Sequence, residues 1–137
     1  MPNSKLLLIL VLFYLVINYA NTLTVTTTAD DGIGSLRCAM TNAGDGDSIA
    51  FNIPGAETRV IELFSPLPDI TQASLTIDAT TQPGYNVDTG IPVVEVNGRD
   101  LGPVAVGFNV LASNVTIVGL SIVKFGGAGI NVYSSRV

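Results

Sequence analysis

VTIVGLSIVKF, Val115–Phe125, changes its pattern of alternation part-way along. Ile117 and the valine two residues before it lie on one face of an extended chain, whereas Leu120 and Ile122 lie on the other, because the parity changes at Gly119. In a flat strand this change would turn one pair out to solvent. If the chain bends at Gly119, both pairs can point into one core, and glycine tolerates the backbone conformation of such a corner. The stretch therefore predicts two strands joined at a corner, as between successive faces of a parallel β-helix.

Short alternating runs fill the chain after residue 20. In each run apolar residues alternate with polar ones, and Gly, Pro, Asn or Asp bounds the run, which is typical of strands and turns. The alternating apolar positions are Leu23 and Val25; Ile49, Phe51 and Ile53; Leu75 and Ile77; Val94 and Val96; Phe108 and Val110; and Ile130 and Val132. The sequence therefore predicts an all-β fold.

The strands also recur along the sequence. Ile77, Val96 and Ile117 follow one another after 19 and then 21 residues, and the segments GFNV and GINV place Phe108 and Ile130 22 residues apart. A period of about 20 residues made of strand and corner indicates a solenoid. In that interpretation Ile77 stacks on Val96. An antiparallel sandwich remains an alternative, because the Asn-Gly pair that begins at residue 97 is a hairpin signal.

One segment outside the N-terminal region has a helical pattern. Ser35 is a suitable N-cap for a helix over Leu36–Asn42, and that helix would bury Leu36, Ala39 and Met40 on one face. We expect this helix to be the only one in the domain.

The N-terminus has the composition of a secretory signal peptide. Lys5 precedes the uncharged apolar run Leu6–Ile17, and a small residue, Ala20, follows it. The run is shorter than the roughly 20 residues that a membrane span needs. We expect residues 1–20 to be removed on export and residues 21–137 to form one secreted or cell-surface domain. An uncleaved signal anchor is the alternative, and it would be the chain's only link to a membrane.

The composition excludes several classes of function. The formal net charge is −5, so no basic surface for nucleic acid is expected. The chain has no histidine, which excludes histidine-based catalysis and histidine metal ligands. Cys38 is the only cysteine, so no intrachain disulfide can form, and we expect it to be a small buried apolar residue.

Five segments in order resemble one family. They are TVTTTADDGIGSLRCAM, DSIAFNIPG, SPLPDIT, LTIDATTQPGY and VTIVGLSIVKFGGAGI, and together they span nearly everything from Leu23 onward. The chain is similar to secreted right-handed parallel β-helix proteins with an N-terminal CSLREA-type motif, in the pectin-lyase-like superfamily. It departs from the family pattern at Cys38, where an acidic residue or Gln is usual, and at Ala79, where Gly is usual.

The resemblance implies a right-handed parallel β-helix of about five rungs. It also implies that the helix near residues 35–42 caps the N-terminal end of the coil. A solenoid needs such a cap because its first rung otherwise exposes core and backbone groups. The segment Gln82–Tyr85 suits a type II turn, since Pro83 presets the second position and Gly84 supplies positive φ at the third. We therefore interpret this segment as a corner.

Because related folds include polysaccharide lyases and glycoside hydrolases, the carboxylates are possible catalytic groups. If Ile77 stacks on Val96, Asp78 and Glu95 become diagonal neighbours about 8 Å apart on an outer face. That separation suits an inverting glycosidase. No third acid accompanies them, and Arg99 is the only basic residue nearby. Two solvated carboxylates on a sheet face are the favoured interpretation.

Two further polar patterns have structural and functional interpretations. Asp45 and Asp47, in the sequence Gly-Asp-Gly-Asp, are weak candidates for calcium ligands, but one copy of this pattern cannot supply six or more oxygens. A polar turn is favoured there, and no cofactor is expected. Asn114 is expected at a corner in left-handed conformation, bonded to an asparagine of a neighbouring rung, with Asn109 and Asn131 in similar roles.

Three functions remain open on the sequence. The favoured one is an exported, non-catalytic scaffold or adhesion-type surface module, with a polysaccharide or cell-surface glycan as its partner. A carbohydrate-active enzyme is the second, and a truncated, non-functional fragment of a larger β-helix protein is the third. No helix or polar cap follows the rung-like segment Gly129–Tyr133. We therefore expect self-association or marginal stability through that rung, unless the native gene product continues with further rungs.

Overall fold

The computed structural model describes residues 19–133. The expected signal segment lies outside the described residues except for its last two positions, and so does the stretch 134–137. Within residues 19–133, no helix is both long and apolar enough to span a bilayer.

The described residues form short strands and one short α-helix. The strands are β1 (Thr22–Val25), β2 (Ser48–Phe51), β3 (Arg59–Glu62), β4 (Thr76–Asp78), β5 (Val94–Asn97), β6 (Phe108–Val110), β7 (Thr116–Val118), β8 (Leu120–Val123) and β9 (Ile130–Val132), and the helix is α1 (Leu36–Asn42). Two single-turn 3₁₀ helices follow β4 and β5, at Ala79–Thr81 and Arg99–Leu101. The expected β-rich fold with one helix is confirmed.

Among the described residues all the strand pairs are parallel, and they form three sheets. Sheet A has the order β1-β2-β4-β7, sheet B the order β3-β5-β8, and sheet C pairs β6 with β9. A single bridge from Ile70 to Val110 extends sheet C by one position. From β4 onward the chain visits sheets A, B and C in turn and then repeats that order with β7, β8 and β9. The antiparallel sandwich is therefore wrong. The longest sheet contains four strands within residues 19–133, against about five expected rungs.

The register corrects the expected stacking. Ile77 pairs with Ile49 on one side and Ile117 on the other, all in sheet A. Val96 lies in sheet B, in line with Ile61 and Ile122. The prediction that Ile77 stacks on Val96 is wrong, because from β2 onward consecutive strands in the sequence belong to different sheets. The match of Phe108 with Ile130 is confirmed.

The interval between stacked strands is uneven, so the period of about 20 residues is also wrong for most of the chain. In sheet A, Ile77 follows Ile49 after 28 residues and precedes Ile117 by 40. The reason is that the connections differ in length. Gly119 alone joins β7 to β8, whereas a 3₁₀ helix and a long loop join β4 to β5.

Gly119 is the predicted corner. Its φ is +75°, and it separates β7 of sheet A from β8 of sheet B. A Cβ atom at this position would lie 2.7 Å from the backbone nitrogen of Thr80 and 2.8 Å from its Cγ2. Both the backbone conformation and the lack of space therefore require glycine.

A second kind of corner precedes three of the strands of sheet A. Gly46, Ser74 and Asn114 each lie two residues before a strand of that sheet, with φ of +78°, +59° and +57°. The amide of Gly46 donates to the carbonyl of Ala73, and the amide of Ser74 donates to that of Ser113, both at 2.9 Å. The left-handed conformation expected for Asn114 is confirmed, and it belongs to a stack of equivalent corners.

The helix predicted after Ser35, with its buried face, is confirmed. The Ser35 side chain accepts a hydrogen bond from the amide of Cys38, and Leu36, Ala39 and Met40 are buried. The helix packs against β1, the edge strand of sheet A. Cys38 is partly exposed, contrary to expectation, because it lies outside the buried face; its Sγ accepts a hydrogen bond from Asn42.

The segment Gln82–Tyr85 is a turn, as predicted. The amide of Tyr85 donates to the carbonyl of Gln82 at 3.0 Å, and Gly84 has a φ of +96°. These are the hydrogen bond and the glycine conformation of a type II turn. The turn follows the 3₁₀ helix Ala79–Thr81, so the segment Gln82–Tyr85 is a corner of the fold.

Candidate functional site

Asp78 has a structural role at the end of β4. One of its carboxylate oxygens accepts hydrogen bonds from the amide of Thr80, at 2.9 Å, and from the Thr80 hydroxyl, at 2.6 Å. These contacts make it the N-cap of the 3₁₀ helix Ala79–Thr81. These two hydrogen bonds hold the carboxylate in the turn, which leaves it little freedom for acid–base chemistry.

Asp78 and Glu95 do not form the expected pair. Asp78 is in sheet A and Glu95 is in sheet B, so the diagonal separation inferred from one common sheet does not apply. Oε1 of Glu95 accepts a hydrogen bond from the side-chain amide of Asn97 at 3.1 Å. The Asn97 side-chain oxygen in turn accepts from the amide of Arg99 at 3.0 Å. Glu95 thus belongs to a short polar chain that ends at the turn after β5.

The outer face of sheet B brings Glu95 together with three residues that sequence reasoning missed, which are Val60, Glu62 and Ser121. Val60, Glu95 and Ser121 are register partners across β3, β5 and β8, and Glu62 is the partner of Asn97. Glu62 and Glu95 are therefore diagonal neighbours, about 8 Å apart by strand spacing. The signal was present in Arg59–Glu62, whose alternation matches Val94–Asn97, but the interval of 35 residues hid it.

This face is open rather than enclosed. Glu62 and Val60 are exposed, and Glu95 and Ser121 are half-buried. An active site usually needs a concave pocket that removes water from the reacting groups. The arrangement offers hydrogen-bond acceptors and a hydroxyl to a bound molecule, but no enclosure for a reaction.

Asp47 anchors the corner before β2. The side chain is buried, and its two oxygens accept hydrogen bonds from the amides of Gly44 and Asn21, both at 2.7 Å. The bond from Gly44, followed by that from Asn21, lowers the pKa of the Asp47 carboxyl, because both stabilise its charged form.

Asp45 has a similar role, since it accepts a hydrogen bond from the amide of Ala73 at 2.9 Å. Across residues 19–133 there is no group of three or more His, Cys, Asp or Glu side chains that could hold a metal ion. Asp45 and Asp47, the weak metal candidates, each accept hydrogen bonds from backbone amides at these corners.

A ladder of side-chain amides crosses sheet C. The Asn131 side chain donates to Oδ1 of Asn109 at 3.3 Å, and the Asn109 side chain donates to Oδ1 of Asp69 at 2.9 Å. The expected bond between stacked asparagines is confirmed for Asn109 and Asn131, but both lie within strands, β6 and β9, rather than at corners. Asp69 was missed, because it lies 40 residues before its partner and outside the named strands.

A cavity of about 530 Å³ lies where sheets A and C end. Its lining is uncharged and comes from β6, β7, β9 and the connection between β6 and β7. The lining residues are Val110, Leu111, Ala112, Ser113, Asn114, Val115, Ile117, Ile130, Val132 and Tyr133. The cavity offers apolar packing together with the polar side chains of Ser113, Asn114 and Tyr133.

No protein-family model, curated protein or solved structure matches this chain.

Proposed function

We propose that this chain is an exported, non-catalytic parallel β-helix that serves as a surface scaffold or adhesion module and binds glycans. The β-helix interpretation is supported by the order in which the chain revisits sheets A, B and C, and by the stacked left-handed corners at Gly46, Ser74 and Asn114. The resemblance to CSLREA-type proteins of the pectin-lyase-like superfamily, including export by the segment 1–20, is part of the same proposal.

The use of the carboxylates supports a non-catalytic role. Asp45, Asp47 and Asp78 each accept hydrogen bonds from backbone amides at corners. Groups that hold a corner in this way are structural, because moving them would leave amides without partners.

The outer face of sheet B is the observation that carries the binding proposal. Glu62 and Glu95 can accept hydrogen bonds from sugar hydroxyls, and Ser121 can both donate and accept. Val60, exposed beside them, provides an apolar contact for the C–H face of a sugar ring. A flat, open face of this kind suits one side of a polysaccharide chain. The negative charge of the protein favours neutral over acidic glycans.

A glycan array probed with the purified chain tests this function. We expect binding to neutral glycans, weakened at least about 10-fold by the double change Glu62→Ala and Glu95→Ala, since two charge-assisted hydrogen bonds would be lost. Glu57→Ala is the matched control, because Glu57 is exposed in a loop outside the strands. Absence of glycan binding, or equal loss with Glu57→Ala, would contradict the proposal.

The enzyme alternative is a polysaccharide lyase or glycoside hydrolase that uses Glu62 and Glu95. Their diagonal placement, about 8 Å apart, is the one observation in its favour. Incubation with pectin, alginate and neutral polysaccharides would detect product. Turnover that Glu95→Gln abolishes would establish this alternative. Turnover that Asp78→Asn abolishes, in a variant that circular dichroism shows to be folded, would restore Asp78 as the catalytic candidate. A folded chain with neither binding nor turnover would favour a non-functional fragment of a larger β-helix protein.

A further inference from the structure

Three edge strands meet at one end of the described structure. β7, β8 and β9 are the last strands of sheets A, B and C, and each pairs with a neighbour on one side only. An edge strand presents unpaired backbone N–H and C=O groups, which makes it a template for a further strand.

The apolar residues of these strands are less buried than their register partners one strand earlier. Phe108 is 0% exposed and Val110 is 6% exposed, whereas their partners Ile130 and Val132 are 43% and 64% exposed. Ile117 is likewise half-buried, although its partner Ile77 is fully buried. Each side chain lacks one neighbouring layer, and the cavity of about 530 Å³ marks that missing layer beside sheets A and C.

The cavity at this end is lined by none of the charges that usually protect an edge, although Lys124 is exposed directly after β8. Natural sheets keep edges apart with charged side chains, proline or a covering element. None of the residues that line the cavity is charged, whereas the whole chain carries a formal charge of −5. Two copies of an acidic protein repel one another over most of their surfaces, so this uncharged, largely apolar cavity, with no carboxylate in its lining, is the place where they can meet without that cost.

At the opposite end the helix covers the first strand of sheet A. The helix α1 packs against β1, the first strand of sheet A, and buries Leu36 and Met40 there. A second copy therefore cannot stack head to tail on β1. The contact that remains is between two identical ends, related by a two-fold axis, and such an interface closes at two copies.

We propose that two copies of this chain associate through the end formed by β7, β8 and β9. Tyr133, which is exposed at the rim of the cavity, provides a side chain that each copy can offer to the other's cavity. The apolar side chains of β9 gain the layer that they lack, and strand edges pair across the axis. This proposal does not rest on glycan binding.

Analytical ultracentrifugation from low to high micromolar concentration tests the proposal. We expect the full chain to change from monomer to dimer, with no larger species. Val132→Lys and, separately, Ile130→Lys place a lysine of each copy in the interface, so the dissociation constant should rise at least about 10-fold. Val87→Lys is the matched control, because Val87 is exposed in the loop before β5 and should leave the dimer unchanged. Circular dichroism confirms that each variant is folded.

A monomer at every concentration would overturn the proposal, and so would a dimer that both β9 lysines leave intact. Open-ended oligomers would also overturn it, because a two-fold contact closes at two. Deleting residues 134–137 identifies one competing occupant. If the full chain is monomeric and only the shortened chain dimerises, these four residues of the chain itself occupy the end, and the proposal is wrong.

Discussion

Replacing Gln82 by alanine tests how the corner after β4 is joined to the previous turn of the chain. The Gln82 side chain is 1% exposed. Its Oε1 accepts a hydrogen bond from the amide of Ile53 at 2.8 Å, and its Nε2 donates to the carbonyl of Ile53 at 2.9 Å. The side chain thus makes the two bonds that a neighbouring strand would make. Arg59 also donates to that carbonyl, at 3.3 Å, so Gln82→Ala leaves the amide of Ile53 as the group without any partner.

The magnitude follows from these contacts. An unpaired buried amide costs about 1–3 kcal/mol, and loss of the second bond adds about 0.5–1.5 kcal/mol. The space left by the deleted side-chain atoms adds to this cost. We expect the free energy of unfolding to fall by about 2–5 kcal/mol, measured by urea denaturation with circular dichroism. Gln72→Ala is the control, because the Gln72 side chain accepts only an exposed bond from the adjacent amide, and it should cost less than about 0.5 kcal/mol.

A second substitution separates hydrogen bonding from packing. Gln82→Glu keeps the size of the side chain but cannot donate to the carbonyl of Ile53 while it is ionised. The protonated carboxyl has an O–H donor that the ionised form lacks. Its cost relative to the wild type should therefore shrink as the pH falls, since the protonated group can donate again. If Gln82→Ala matched the wild type within about 0.5 kcal/mol, the reasoning from these bonds would be wrong.

Two other predictions concern single corners. Gly119→Val should lower the free energy of unfolding by about 1–3 kcal/mol, measured by urea denaturation, because valine is strained at a φ of +75°. Gly90→Val is the control: it lies at an open loop position with a φ of +63°, so it shows the cost of backbone strain without the clash with Thr80. If Gly119→Val left the stability unchanged, the assignment of Gly119 as a corner would be refuted. The pKa of Asp47 is lowered from its ordinary value of 3.8, so its contribution to stability is complete above that pH and is lost as the pH falls through the folded-state pKa. Thermal melts from pH 7 to about pH 2 should show a smaller loss on acidification for Asp47→Asn than for the wild type, and parallel curves would contradict this.

The sequence predicts those features that depend on local pattern. The change of parity at Gly119, the capped helix after Ser35 and the turn at Gly84 each rest on a few adjacent residues whose conformational preferences are strong. All three are present in the structure. Short-range patterns are reliable here because the apolar face of each strand must point into one core.

The stacking order could not be predicted in the same way. It depends on the lengths of the connections, and these vary from the single residue Gly119 to the long segment between β1 and β2 that contains α1. Ile77 therefore pairs with Ile117 rather than with Val96, although the shorter intervals suggested a regular repeat. The pairing of Glu62 with Asn97, and hence the candidate face, follows only from that register.

The long-range side-chain hydrogen bonds were even harder to predict from the local sequence. Gln82 meets Ile53 over a separation of 29 residues, and Asn109 meets Asp69 over 40. Each of these hydrogen bonds joins a polar side chain to a residue that becomes its neighbour only when segments distant in the sequence lie side by side. Alternation shows that Asn109 points outward, but it does not identify the partner.

The distribution of the carboxylates decides which substitutions can report on function. Asp45, Asp47 and Asp78 hold corners through backbone amides, so replacing any of them removes structural hydrogen bonds and should first lower stability. Loss of activity in such variants would therefore be ambiguous unless the variant is shown to be folded. Glu62 and Glu95 lie on a strand face and accept no hydrogen bond from a backbone amide among the described residues. Their replacement can change binding while the fold stays intact, and this makes the outer face of sheet B the place where scaffold, glycan-binding module and enzyme give different results.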